Sequence, residues 1–162
     1  MNEHMETAFK LAEEALKNDE VPVGCVFVCD GVQVGQGRNE VNASGDPTAH
    51  AEMVAIREMR KHNWSEKEIH TFELFVTLEP CIMCAAAMYE LGIKRIVYGA
   101  ANQRFGGIES VGNKEKYGAE HEIEVNSLIE ANRAIGLLKQ FYELENANAP
   151  EQKKEDKKKR NC

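Results

Sequence analysis

At 162 residues with 43% hydrophobic content, the chain has the size of one domain and enough apolar residues to bury a core. No long apolar run lies between Met1 and Leu11, and no later stretch could cross a bilayer, so neither a signal peptide nor a membrane protein is expected. Twenty Lys and Arg against 27 Asp and Glu leave a net charge of −7, and the five cysteines are an odd count that suits a reducing, intracellular compartment better than a disulfide framework.

Taken in chain order, Met5, Ala8, Phe9, Ala12, Ala15 and Leu16 recur at helical spacing and predict an amphipathic first helix ending near Asn18. Val21-Pro22-Val23-Gly24 breaks that pattern. Cys25 to Val28 reads as a buried strand, Asp30-Gly31 as a hairpin turn, and Val32 and Val34 as a second strand that runs out at Gly35 to Asn39. Cys25 and Cys29 share one face of the first strand, where small thiols serve as packing. A polar loop, Asn42 to Pro47, delivers the chain to His50. Beyond it Ala51, Val54, Ala55 and Met59 form the core stripe of a second helix, and Ser65-Glu66-Lys67-Glu68 is a capping box for a short extra turn.

Phe72 to Leu78 is a strand of β-branched and aromatic residues. Pro80 suits the first position of a helix that runs from Cys81 to about Leu91 and stops at Gly92, before the strand Arg95 to Gly99. Strand, helix, strand in that order implies a parallel pair joined by a crossover. Asn102 to Tyr117 is a glycine-rich loop, Ile123 and Val125 a short edge strand, and Leu128, Ala131, Ile135, Leu138, Phe141 and Tyr142 carry the last helix. Together these elements predict an α/β fold, a three-layer α/β/α sandwich around a five-stranded mixed sheet. It occupies residues 1–150 as one domain, and residues 151–162 form a basic tail expected to be disordered.

Two short strings carry the chemistry. Thr48-Ala49-His50-Ala51-Glu52 and Glu79-Pro80-Cys81-Ile82-Met83-Cys84 together supply one imidazole, two thiols and a carboxylate. His50, Cys81 and Cys84 are three soft ligands, one short of a closed tetrahedral zinc site. Both cysteines lie in the first turn of a helix, whose N-terminus favours thiolates. An open position on Zn²⁺ is where a water becomes acidic near neutral pH, and Glu52 can stand beside it without being a ligand. The competing reading is a structural zinc knot, with a fourth ligand drawn from Cys25, Cys29, His62 or His70.

His50-Ala51-Glu52 with Pro80-Cys81-Ile82-Met83-Cys84 resembles the cytidine-deaminase-like zinc deaminases. Further blocks extend the likeness to tRNA adenosine deaminases: Glu20 to Gly24, Gly37-Arg38-Asn39, Asp46 to Glu52, Val76 to Ala85 and Val97 to Ala100. Gln103 to Gly107 and the tail are similar to the catalytic subunit of the eukaryotic heterodimeric enzymes that convert wobble adenosine to inosine. Glu109 departs from the pattern, which has a small residue before Ser110. The resemblance implies Zn²⁺ on His50, Cys81 and Cys84, and Glu52 shuttling protons while water attacks C6 of adenine and ammonia leaves. It also implies Asn39 and the Ala51 N–H holding the target nucleotide, and a homologous partner subunit that lacks the carboxylate. Without the family, Asn39 is an ordinary turn residue.

Two other functions compete: a deaminase of free nucleobases or nucleotides, and a non-catalytic zinc-binding subunit. Glu52 argues against the latter, and the basic tail against the former. Lys157, Lys158, Lys159 and Arg160 suit contact with a tRNA anticodon loop, and equally a nuclear signal or plain solvated charge. Residues 151–162 carry +3, leaving −10 on the remainder. A body that acidic repels a phosphate backbone, so a more basic partner is expected. Ala85 to Met88 is a candidate contact surface or plain core, and Phe141 and Tyr142 stack on flanking bases or, as favoured here, belong to the core.

Overall fold

The computed structural model describes residues 2–148; Lys157, Lys158, Lys159 and Arg160 lie outside the described residues, as does the proposed boundary at 150. Helix α1 (Glu3–Lys17) starts on Asn2, whose side chain accepts the N–H groups of His4 and Met5, and it buries Met5, Ala8, Phe9, Ala12 and Ala15. Strands β1 (Gly24–Cys29) and β2 (Val32–Arg38) form the expected hairpin, with Asp30 and Gly31 at φ 48° and 80°. The expected polar loop contains a short helix, α2 (Val41–Ser44), which Gly45 ends at φ 66°.

Helix α3 (Ala51–Met59) has His50 at its N-cap, and it seats Ile56 rather than Val54 in the core alongside Ala51, Ala55 and Met59. The capping box forms at Ser65 and Glu68 ahead of α4 (Glu66–Ile69). Strand β3 (Glu73–Leu78) leads into α5 (Ile82–Leu91), and β4 (Arg95–Ala100) follows. Cys81 is the N-cap of α5, so Pro80 stands just outside the helix instead of at its first position. The glycine-rich loop holds one 3₁₀ turn, Lys114–Tyr117, before β5 (Glu124–Asn126) and α6 (Ala131–Asn148).

The sheet order is β2-β1-β3-β4-β5, antiparallel through β2, β1 and β3 and parallel through β3, β4 and β5. One face packs Cys25, Phe27, Leu74, Val76 and Ile96 against α3 and α5. The other packs Val26, Val28, Phe75 and Val97 against Met5, Phe9 and Ala12 of α1 and Ala134 and Leu137 of α6. This is the predicted three-layer sandwich. Cys25 is fully buried and Cys29 packs on the same core, as expected of structural thiols.

The last helix departs from its predicted stripe. Leu128 is not helical; it sits at φ 63° and is exposed, as is Ile135, while Ala134 and Leu137 are the buried residues. The helix starts three residues later than expected, which rotates the buried face. In α5, Ala85 and Met88 are core, whereas Ala86 and Ala87 are half-buried and Ile82 is exposed. Among the described residues no helix is long and apolar enough to cross a membrane.

Candidate metal centre and substrate cavity

Two helix starts, arriving from opposite directions in sequence, meet at the site. His50 caps α3 and Cys81 caps α5, with Cys84 in the first turn of α5. The His50 Nδ1 atom lies 3.4 Å from Cys81 Sγ and 3.7 Å from Cys84 Sγ. All three ligand atoms fall within 4.8 Å of one another, and among the described residues no fourth side chain joins them. Cys25, Cys29, His62 and His70 are thus not part of the cluster. One imidazole and two thiols at this spacing suit zinc, with a position left open.

The Cys81 thiol is drawn down to about 4, chiefly by its hydrogen bond with Cys84 and then by His50, while Cys84 is pushed up by the same bond and by burial. Glu52, in the first turn of α3, is only 4% exposed. Burial pushes its carboxyl up to about 7, a thiolate at Cys81 adds to the rise, and its own backbone amide and His50 oppose it. It is not among the clustered ligand atoms.

The cluster stands in a cavity of about 710 Å³, the size of a small-ligand site. Asn39, His50, Ala51, Glu52 and Cys81 line its polar part; Val21, Val23, Leu78 and Leu138 line the apolar part; Arg104, Phe105 and Tyr142 also contribute. Every predicted site residue within the described chain is therefore brought together. Asn39 makes a turn contact, its Oδ1 accepting the Val41 N–H at 3.1 Å, and also stands at the cavity. The N–H of Ala51 belongs to the first helical position, which has no acceptor within the helix.

Tyr142 corrects the expectation that the aromatic pair on α6 is core. Phe141 is half-buried, but Tyr142 is 52% exposed and faces the cavity. Phe105 is 54% exposed with the Arg104 guanidinium 5.0 Å over its ring. Arg104 and Phe105 lie in the Gln103 to Gly107 block that resembles the catalytic subunits, but no periodicity in a loop marks which of its residues face a site.

Two buried carboxylates also escaped the sequence reading. Glu20 accepts the N–H groups of Asn42 and Ala43, which ties α2 and the segment after Asn39 in place. Glu79 accepts N–H groups of the loop after β4. Glu109, the departure from the family pattern, accepts the hydroxyl proton of buried Tyr98.

Residues 1–100 match the zinc-binding region of cytidine and deoxycytidylate deaminases. The chain is 45% identical over 159 residues to tRNA-specific adenosine deaminase 2 of Xenopus tropicalis, covering 92% of both chains. It belongs to the tRNA-specific adenosine deaminase family. The tad2 subunit of tRNA-specific adenosine deaminase from Schizosaccharomyces pombe is 39% identical, with 91% of this chain and 38% of that longer protein covered. A solved structure from studies of A-to-I editing by tRNA:A34 deaminases superposes with a TM-score of 0.72 at 33% identity, covering 83% of this chain and 98% of that one. Guanine deaminase from Nitrosomonas europaea shares the fold at a TM-score of 0.71 and 22% identity, over 85% of this chain and 82% of that one. Zinc is accordingly the cofactor of this fold region, and the His50, Cys81 and Cys84 cluster offers it a site.

Proposed function

We propose that this chain converts adenosine to inosine at the wobble position of tRNA, as the catalytic member of a heterodimer. The observation that carries the chemical part is the burial of Glu52 in the same cavity as the His50, Cys81 and Cys84 cluster, without membership of that cluster. Those three residues would hold zinc, which supplies a Lewis acid that brings water's acidity toward neutral pH.

The protein's own groups do the rest. Glu52 takes a proton from water as its oxygen bonds to C6 of the base, and passes that proton to the ring nitrogen. The carboxylate then takes the proton of the new C6 hydroxyl and delivers it to the exocyclic amine; the C6–N bond breaks as the C6 carbonyl forms, and ammonia and inosine result. A single carboxyl serves as base and then as acid. Asn39 and the Ala51 N–H hold the base edge, while Val21, Val23 and Leu78 keep bulk water from the reacting face.

A flipped or looped-out base is favoured over a free one by the rim of the cavity. Phe105 and Tyr142 present exposed rings on which neighbouring bases can stack, and Arg104 adds a cation. Lys157, Lys158, Lys159 and Arg160, outside the described residues, add positive charge that suits the phosphates of an anticodon arm. A homologous partner without the carboxylate supplies the remaining positive surface.

The test is mass spectrometry of an anticodon stem-loop incubated with the protein, alone and with the partner subunit, beside free cytidine and guanine. Inosine at the wobble position is the expected product. Deamination of the free bases with none on the RNA would overturn the reading.

A further inference from the structure

Glu79 is 1% exposed, and its hydrogen bonds all come from one loop. Its Oε1 accepts the N–H groups of Ile108, Glu109 and Ser110 at 3.2, 2.8 and 2.9 Å. Its Oε2 accepts the N–H of Asn102 at 2.9 Å and the hydroxyl of Ser110. Among the described residues no Lys, Arg or His pairs with it in an ion pair.

The loop needs such an acceptor. Between Ala101 and Asn113 there is no helix or strand ladder, so its buried amides have no regular partners. Two further ties lead to the start of α5: Ile82 N–H donates to the Phe105 carbonyl at 3.0 Å, and Gly107 N–H to the Pro80 carbonyl at 2.8 Å. Gly106 fits only because it lacks a side chain, since a Cβ there would overlap the Glu79 carboxylate and lie 2.6 Å from the Asn102 carbonyl. Wrapped around the carboxylate in this way, the loop sets Asn102, Gln103, Arg104 and Phe105 into the cavity wall.

We propose that Glu79 is a positioning residue for the reaction. Its buried carboxylate is the knot that fixes the 102–110 loop, and through that loop it places Arg104 and Phe105 where the substrate's flanking part must bind. Glu79 lines the cavity but is not among the clustered ligand atoms, and its carboxylate oxygens are taken up by the loop's donors. A buried charge is a poor device for stability alone, because an apolar side chain of similar volume would serve as well. Its use here is to give one loop one conformation. The inference rests on reading this cavity as the substrate site.

Glu79→Gln is the informative variant. Placed with its NH₂ toward Ser110, the amide keeps the three bonds at Oε1 and can donate to the rotated Ser110 hydroxyl, but leaves the Asn102 N–H without an acceptor. The expected result is amide exchange of residues 102–110 at least tenfold faster than wild type, and a KM for the anticodon stem-loop at least tenfold higher. The same variant should have a kcat within about threefold of wild type and an unchanged zinc content.

Combining Glu79→Gln with Phe105→Ala should raise KM no further than the worse single change, because both act through one loop. Ser110→Ala, which leaves four amides on the carboxylate, should move KM the same way by a smaller factor. Unchanged exchange in the loop, loss of zinc, a fall in kcat at constant KM, or additive effects with Phe105→Ala would each overturn the proposal. Should the wild-type protein form no inosine on RNA, the functional reading fails, and the exchange measurement still decides whether Glu79 fixes the loop.

Discussion

A carboxylate at the third position of His50-Ala51-Glu52 is useful only if the backbone turns it toward the same space as the histidine, and the start of α3 does that. His50 lies at the N-cap with extended backbone and Glu52 lies inside the first turn, so both side chains face the cavity while only His50 joins the sulfur atoms. Replacing Glu52 with Gln changes charge and not shape. Zinc content, read by elemental analysis, should stay at the wild-type ratio, and inosine formation should fall by about 10²–10⁴, the usual worth of general acid–base catalysis. Cys84→Ala should lose the metal and, because Cys84 is buried, solubility as well. A Glu52→Gln protein that released its zinc would refute the division between ligands and proton carrier. His50, Glu52, Cys81 and Cys84 were legible in the sequence because each pair sits within one helical turn, where spacing fixes geometry. Glu79 was not, since the donors it gathers lie 23 to 31 residues further along the chain.

Among the elements, α3 depends on how closely it can approach β2. At Gly37 a Cβ would overlap the Ala51 carbonyl oxygen and stand 2.7 Å from the Ala55 nitrogen, both backbone atoms of the helix. Gly37→Ala must therefore push the helix away. Such overpacking costs about 1–3 kcal/mol, with Tm falling by roughly 2–4 °C per kcal/mol in a chain of this size. Because His50 opens that helix, metal affinity should fall too. Gly136→Ala is the control: nothing lies near its added Cβ, and a helix interior prefers Ala over Gly by about 1 kcal/mol, so Tm should hold or rise.

At the other face, Arg133 of α6 donates to Glu6 at 2.6 and 3.2 Å and to Glu13 at 3.0 Å, over the Phe9 ring at 4.3 Å. That clamp holds the helix carrying Leu138 and Tyr142 over the cavity. Arg133 draws the Glu6 carboxyl below its ordinary value of 4.5, chiefly through their hydrogen bond and against a smaller push from desolvation. A folded-state pKa below the unfolded one means stability that is present above about 4.5 and lost as pH falls through the folded value. The stability difference between wild type and Arg133→Met, measured by urea unfolding, should thus be present at pH 6 and shrink progressively below pH 4.5. A difference that stays constant down to pH 3 would show that Arg133 acts by packing on Phe9 alone. The first helix and strands β1, β3 and β4 were readable because their apolar residues recur without a break. The register of α6 was not, since Leu128 and Ile135 continue an apolar pattern that the backbone at Leu128, with positive φ, interrupts.

On the scale of the whole molecule, charge opposes the proposed task. The chain carries −7, with −10 before residue 151 and +3 after it. RNA affinity comes chiefly from neutralised phosphates, and each one contributes about 0.7–0.9 to the slope of log affinity against log salt. A body this acidic can hold the anticodon loop only where Arg104 and the tail supply local positive charge. The expectation is that the purified chain binds tRNA weakly and forms little inosine, and that the heterodimer does both. The exposed side of α5, with Ile82 and the half-buried Met83, Ala86 and Ala87, offers an apolar strip beside the metal site for that partner. Introducing a charge there, Ala86→Glu, should abolish assembly by size-exclusion chromatography while leaving zinc content intact. Removing residues 151–162 from the heterodimer should reduce the salt slope by up to six phosphate contacts, the number of basic residues lost. An unchanged slope would take the tail out of the RNA surface, and tight binding with full activity by the lone chain would remove the need for a partner.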